Sequence, residues 1–147
     1  MLYTHQLPEY GVLVAPDGKT ETDLTPADAM VVRARLTRPL SRESVVDCLA
    51  RPLQFPEPYG RNWDAFHESL RDLQWLSWQC LVLLVEDADL LLELEALQVV
   101  IFLKLLSNSA AFWKWSGKSF TTILAGGDKL DHLVYRVLAD WHVKDVP

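Results

Sequence analysis

Two carboxylates near the middle of the chain, Asp64 and Glu68, have the residue type and spacing that most directly suggest chemistry. At four residues apart, they would be neighbours on one face of a helix. Asn62 is a good N-cap for a helix beginning at Trp63, and the positive end of a helix favours negative charge nearby. The pair therefore predicts a surface that binds cationic groups, although a solvated acidic face would show the same pattern.

The residues around this pair predict a rigid loop followed by an amphipathic helix. Pro56 and Pro58 restrict the backbone before the helix, and Gly60 is expected to adopt a backbone angle that other residues avoid. At 100° per residue, the apolar side chains share one sector of the helix and should face a core: Trp63, Phe66, Leu70 and Leu73. The polar side chains gather on the opposite side: Asp64, His67, Glu68, Arg71 and Asp72.

The negative charge of the chain is concentrated around this helix. Between Pro56 and Glu95 there are nine acidic and two basic residues, a net charge of −7, whereas the whole chain of 147 residues carries −6. Such a field speeds encounter with basic surfaces and repels polyanions. A basic protein is the expected partner, and direct binding of nucleic acid is not expected.

Hydrophobic patterning predicts alternating strands and helices. Strands are expected at residues 30–36, 80–85 and 120–125, and the unbroken apolar run of the second is typical of a central strand in a parallel sheet. Helices are expected at 41–50, from Trp63, over 90–115 and after Asp128. An alternative for the third is two helices in series, with a break at Asn108 and Ser109. The alternation favours an α/β fold with a small three-stranded, mainly parallel sheet covered by helices.

The predicted organisation is one domain with two additions. Residues 1–29 form an N-terminal extension, irregular except for a hairpin-like element with a short strand near 11–14. Residues 30–125 form the central α/β domain. Residues 126–147 form a C-terminal helical extension that packs on the same domain.

Catalytic, cofactor and metal sites are not predicted. His67-Glu68 lacks the second histidine of a zinc-protease helix, and the other histidines are scattered. Gly126-Gly127 lacks the lysine and spaced glycines of a phosphate loop, so a strand-to-helix turn is expected. Two carboxylates on one helical stripe also differ from a glycosidase pair, which spans a cleft. The protein is therefore expected not to be an enzyme and to bind no metal or cofactor.

The remaining composition bears on location and surface. Cys48 and Cys80 are expected to be buried free thiols. The first residues have neither a basic nor an apolar signal region, which favours a cytoplasmic protein, and acidic residues interrupt the apolar stretch 81–106, so no membrane contact is expected. Trp75 and Trp78 could form the hydrophobic end of an interface.

The run from Phe55 to Leu73, centred on Tyr59-Gly60-Arg61-Asn62-Trp63-Asp64-Ala65, resembles the signature of the barstar family, small intracellular inhibitors of secreted ribonucleases. A looser similarity covers residues 30–125. The resemblance implies the α/β fold described above, and an intracellular immunity protein that blocks a cytotoxic ribonuclease with helix carboxylates acting as phosphate mimics. It also implies a set of partner-binding residues: Tyr59, Gly60, Asn62, Asp64, His67 and Glu68.

In this resemblance Glu68 matches the aspartate that enters the phosphate site, and Asp64 matches a second acidic contact one turn earlier. The chain departs from the family pattern at three positions. Pro58 replaces a tyrosine that stacks on the histidine of the enzyme, His67 replaces a tryptophan, and Glu68 is one methylene longer than the family's aspartate. A further acid of the family, late in the long helix, has no counterpart around 109–112.

Two other classes of function remain open from the sequence. The acidic face would equally suit an interaction or immunity module that neutralises a basic toxin other than a ribonuclease, or that acts as an adaptor. The second class is an enzyme whose active site is not recognisable in the sequence. A monomer that forms a 1:1 complex with its partner is the expected state.

Overall fold

The structure, a computed structural model, describes residues 10–16 and 26–145, with side chains described as far as Trp141. Its centre is a sheet of four parallel strands in the order β1-β4-β3-β2. In chain order the strands are β1 (Val12–Ala15), β2 (Met30–Arg35), β3 (Cys80–Glu86) and β4 (Ser119–Ala125). The α/β class, the parallel arrangement and the central position of β3 are confirmed.

The expected count of three strands is wrong, because the N-terminal extension supplies a fourth. β1 lies parallel to β4, with Val12 opposite Thr122 and Ala15 opposite Ala125. The short strand expected near 11–14 is thus confirmed, and the rest of the expected hairpin-like element lies outside the described residues. All four residues of β1 are buried. A strand this short has a weak pattern, and its partner lies more than a hundred residues later in the chain, where local sequence gives no signal.

The described residues contain four α-helices: α1 (Arg42–Ala50), α2 (Trp63–Leu70), α3 (Ala96–Trp115) and α4 (Asp128–Asp145). A 3₁₀ helix, Ala88–Glu93, precedes α3. Ser41 begins α1 with a capping box, in which its hydroxyl accepts the backbone N–H of Ser44 and the Ser44 hydroxyl accepts that of Ser41. The predicted starts of α1 and α2 are confirmed.

Of the two alternatives for residues 90–115, the single long helix is confirmed from Ala96, and the alternative with a break at Asn108 and Ser109 is wrong, since α3 runs without interruption to Trp115. The Ser109 hydroxyl donates to the carbonyl of Leu105 at 2.8 Å, within the helix, and the Asn108 amide group contacts another helix. Polar side chains that find such partners no longer compete with the helical backbone. The chain turns earlier, between the 3₁₀ helix and α3.

The main core lies between the helices and one face of the sheet. Alternate residues of β3 point into it, namely Leu81, Leu83 and Val85, and a smaller apolar cluster including Val82 and Leu84 lies on the opposite face. By length and composition α3 could cross a membrane, but half of that apolar window is buried inside the protein. A core helix has the same property, so its apolar character is explained by packing.

The two tryptophans after α2 differ in burial. Trp78 is 8% exposed and packs edge-on against Trp113 with ring centroids 4.9 Å apart. Trp75 is partly buried against the core, and its indole N–H donates to the carbonyl of Leu53 at 2.9 Å. The expectation of a hydrophobic interface end is therefore wrong for Trp78, because its ring is buried, and it stays a prediction for Trp75.

Two smaller predictions have mixed outcomes. Cys48 and Cys80 are free, but both are half-buried rather than buried. Gly126-Gly127 forms the predicted turn between β4 and α4, where the Gly127 N–H donates to Asp89 at 2.9 Å. A Cβ on Gly126 would lie 2.6 Å from Leu130 Cδ2 and 2.8 Å from the Asp89 carboxylate, so a larger residue at this turn would displace those side chains.

Candidate partner-binding surface

Packing of the apolar side of α2 against the core holds its acidic side towards solvent. Trp63, Phe66, Leu70 and Leu73 are all buried, as their helical phase predicted. The Trp63 indole N–H donates to the Gln98 side chain of α3 at 2.6 Å, and Phe66 stacks on Phe102 with centroids 6.3 Å apart. Aromatic packing of this kind prevents rotation of the helix about its axis. The opposite face is consequently held outward.

Asp64 and Glu68 are exposed on that outward face. Within the described part of the chain, neither carboxylate makes a hydrogen bond or an ion pair. They are one turn apart, so like-charge repulsion between them is relieved only by solvent and by the helix N-terminus. A cation supplied by another molecule would relieve the same repulsion.

Other acids of the negative segment are already neutralised by arginines of the same molecule. Arg35 binds Glu86 and Asp87, Arg33 binds Glu86, and Arg38 makes two hydrogen bonds to Glu93, at 3.0 and 2.5 Å. The hydrogen bonds and charge of Arg38 lower the pKa of Glu93. The linear count of −7 therefore overstates the free charge. Five acids of the segment have neither an ion pair nor a side-chain hydrogen bond with a described residue: Glu57, Asp64, Glu68, Asp72 and Glu95.

Asn62 and Gly60 shape the entry to α2. The Asn62 side chain accepts the backbone N–H of Ala65 at 2.9 Å and caps the helix, as predicted. Gly60 does not have the positive φ that was expected. Instead, a Cβ at this position would lie 2.8 Å from the Cβ of Ala65 and 3.1 Å from the Asn62 amide, so the glycine permits close approach of the loop to the helix.

Tyr59 is held against the body of the protein. Its hydroxyl donates to the carboxylate of Asp47 on α1 at 2.7 Å, and its ring meets Phe55 edge-on at 5.9 Å. The same carboxylate accepts a hydrogen bond from Arg61 Nε at 2.9 Å and a second contact from its terminal nitrogen. Tyr59 is half-buried and its hydroxyl is occupied, so its role at this surface is to anchor the loop.

His67 joins α2 to α3. Its Nε2 donates to the Asn108 side chain at 2.8 Å, since an amide oxygen can only accept. Burial of the half-exposed ring and the nearby charge of Arg71 lower the pKa of His67, against opposing contributions from Asn108 and Asp64. A pKa below the ordinary 6.5 favours the neutral imidazole at pH 7. His67 lies beside the acidic pair, and its neutral form does not cancel the charge of that pair.

The structure thus places the predicted residues along α2 and its entry loop, with different roles. Asp64 and Glu68 face solvent, and Asn62 and Gly60 shape the helix start. Tyr59 and His67 bind to neighbouring helices through Asp47 and Asn108, contacts that the sequence did not predict. Isolated polar residues on other helices give no signal of such contacts before the fold is known. Among the described residues, no cluster of three or more potential ligands could hold a metal ion.

An acidic face on a capped and packed helix, beside a small parallel sheet, defines a class of α/β proteins that hold carboxylates outward at one fixed surface. The family model described as Barstar (barnase inhibitor) matches residues 29–125, about two thirds of the chain. The chain belongs to the barstar family. Searches of curated proteins and of solved structures return no match.

Proposed function

We propose that this protein inhibits a cytotoxic ribonuclease by placing Asp64 and Glu68 where the enzyme would hold the phosphates of RNA. The observation that carries the proposal is the contrast between acidic residues that are paired with arginines and those that are not. Glu86, Asp87 and Glu93 are paired with arginines, whereas Asp64 and Glu68 are exposed on a fixed helix with no cation of the described chain bound to them. Membership of a family of barnase inhibitors supports it.

The chemistry follows from what a ribonuclease must present. An enzyme that cleaves RNA holds the scissile phosphate and its developing charge with arginine, lysine and histidine side chains. A carboxylate accepts short, charge-assisted hydrogen bonds from the same groups. Glu68, fixed on α2, would occupy the phosphate position, and Asp64 would contact a second cation one turn away. Little reorganisation is needed because the helix is already capped and packed.

Membership of an inhibitor family also supports a protein that is not itself an enzyme. We further propose that it acts in the cytoplasm and forms a 1:1 complex, because a single acidic stripe fits one active site. The longer Glu68 and the Pro58 substitution support a target that differs in detail from the enzyme inhibited by the family's type member. A basic toxin of another activity is the alternative target.

Barnase is the natural first probe, since the matched family is described by it. The full chain is titrated into a barnase RNA-cleavage assay, and binding is measured in parallel by calorimetry. Stoichiometric loss of cleavage would support the proposal. If barnase is unaffected, a protein captured from the native cell is tested for RNA cleavage with and without the chain. Capture of a basic protein that cleaves no RNA would overturn the ribonuclease assignment in favour of another toxin.

A further inference from the structure

Arg61 is a positive charge placed where the proposed function needs negative charge. It lies in the loop directly before α2, three residues from Asp64, and its side chain is 56% exposed. A cationic target approaching Asp64 and Glu68 would meet this guanidinium at the edge of the same surface. Left unpaired, it would repel the target and lower the rate of association.

The carboxylate of Asp47, on α1, neutralises the charge of Arg61. Both of its oxygens contact the Arg61 guanidinium, in a two-point arrangement that restricts the position of the arginine. The Asp47 side chain is only 16% exposed, so its charge serves the loop rather than the partner. It also accepts the hydroxyl hydrogen of Tyr59, two residues before Arg61. One carboxylate therefore holds both sides of Gly60.

We propose that Asp47 is a positioning residue of the partner-binding surface, which neutralises Arg61 and orders the loop from Tyr59 to Arg61 so that α2 can receive a cationic protein. The proposal rests on the proposed function for the nature of the partner. It extends the functional surface to α1, a helix that carries no part of the binding signature. It also predicts that Arg61 weakens binding of the partner only when the Asp47 carboxylate is removed.

A double-mutant cycle separates this role from simple structural support. Asp47→Asn removes the charge but keeps an oxygen for Tyr59, and Arg61→Gln removes the charge that must be cancelled. Affinity is measured for Asp47→Asn, Arg61→Gln and the double variant. The matched control is Glu93→Gln, which frees Arg38 from an equivalent two-point pair on another part of the surface.

Two probes are used, barnase and a fluorescent hexa-arginine peptide, because the second reports the local field of α2 for any cationic partner. We expect Asp47→Asn to weaken binding about tenfold, mainly through slower association at low salt. Arg61→Gln should bind as well as the parent chain or better. The double variant should recover to within about threefold of the parent. Glu93→Gln should change affinity by less than about twofold.

A double variant as weak as Asp47→Asn would overturn the proposal, because binding is then not restored by removing the charge of Arg61, and Asp47 acts through folding or packing alone. Melting temperatures of all four variants check that the folded state is retained. Failure of the proposed function looks different. If the parent chain leaves barnase active and the captured protein cleaves no RNA, yet the peptide shows the expected recovery, then the ribonuclease assignment fails while the role of Asp47 stands. If neither probe responds to Asp47→Asn, the role of Asp47 is refuted.

Discussion

Replacing Glu68 by alanine is the sharpest test of the binding surface. The side chain is exposed and makes no hydrogen bond or ion pair with a described residue, so the folded protein loses no internal contact. Glutamate and alanine are both good helix formers, and the change removes the repulsion between residues 64 and 68. The free energy of unfolding should therefore change by less than about 0.5 kcal/mol.

Binding should respond much more strongly. Removing one member of a desolvated charge pair at a protein interface generally costs about 2 to 5 kcal/mol, a range set by other complexes, among them the complex of barnase with barstar itself. At about 1.4 kcal/mol for each factor of ten, Glu68→Ala should weaken the complex by about 30-fold to several thousandfold. Much of the loss arises because the cation of the partner is left buried without a counter-charge.

Asp28→Ala is the matched control, because Asp28 is an exposed acid in the turn before β2, outside the motif. It removes the same formal charge and should change affinity by no more than a few-fold. Calorimetry against the captured ribonuclease, at low and at high salt, compares the two variants. The parent affinity should fall with added salt more steeply than that of Glu68→Ala. Equal affinities for Glu68→Ala and Asp28→Ala would refute the assignment of Glu68.

Three further predictions concern the helix surface and its support. Glu68→Asp should bind barnase roughly tenfold more tightly than the parent, because it restores the carboxylate position of the family. If calorimetry finds no gain in affinity, the length of this side chain does not determine the target. The pKa of His67 is lowered in the folded protein, so the unfolded chain binds a proton at a higher pH than the folded chain does. The free energy of unfolding should therefore decline as pH falls through the ordinary pKa of 6.5 towards the lower folded pKa. His67→Gln, which can still donate to Asn108, should lose less stability between about pH 7.5 and 5.5 in urea unfolding, and identical slopes would contradict this origin. Trp113→Phe removes the indole N–H that donates to the Leu70 carbonyl at 2.7 Å and should cost about 1 to 3 kcal/mol in chemical denaturation, whereas an unchanged midpoint would show that water replaces the donor.

The parts of the fold that could be predicted from sequence are those specified by local signals. Asn62 caps α2, Ser41 caps α1, and the apolar run of β3 marks a central strand, because each depends on residues within a few positions of one another. The orientation of Asp64 and Glu68 followed from helical phase. Local periodicity was sufficient there because α2 buries one face only.

What could not be predicted depends on contacts between distant segments. Asp47 meets the loop from another helix, Asn108 meets His67 across two helices, and β1 pairs with a strand near the other end of the chain. The charge count failed for the same reason, since Arg33, Arg35 and Arg38 precede the acids that they neutralise by about fifty residues. Sequence separation hides such pairs, and only the folded chain brings them together.

The position of β1 matters for anyone who isolates the matched part of the protein. A fragment limited to residues 29–125 would lack β1, which pairs with β4 with Val12 opposite Thr122. The backbone groups on the outer edge of β4 would then be unpaired. A bare, apolar strand margin of this kind recruits other chains and leads to aggregation. The matched region is thus smaller than the four-stranded sheet, and β1, which precedes it in the chain, covers the outer edge of β4.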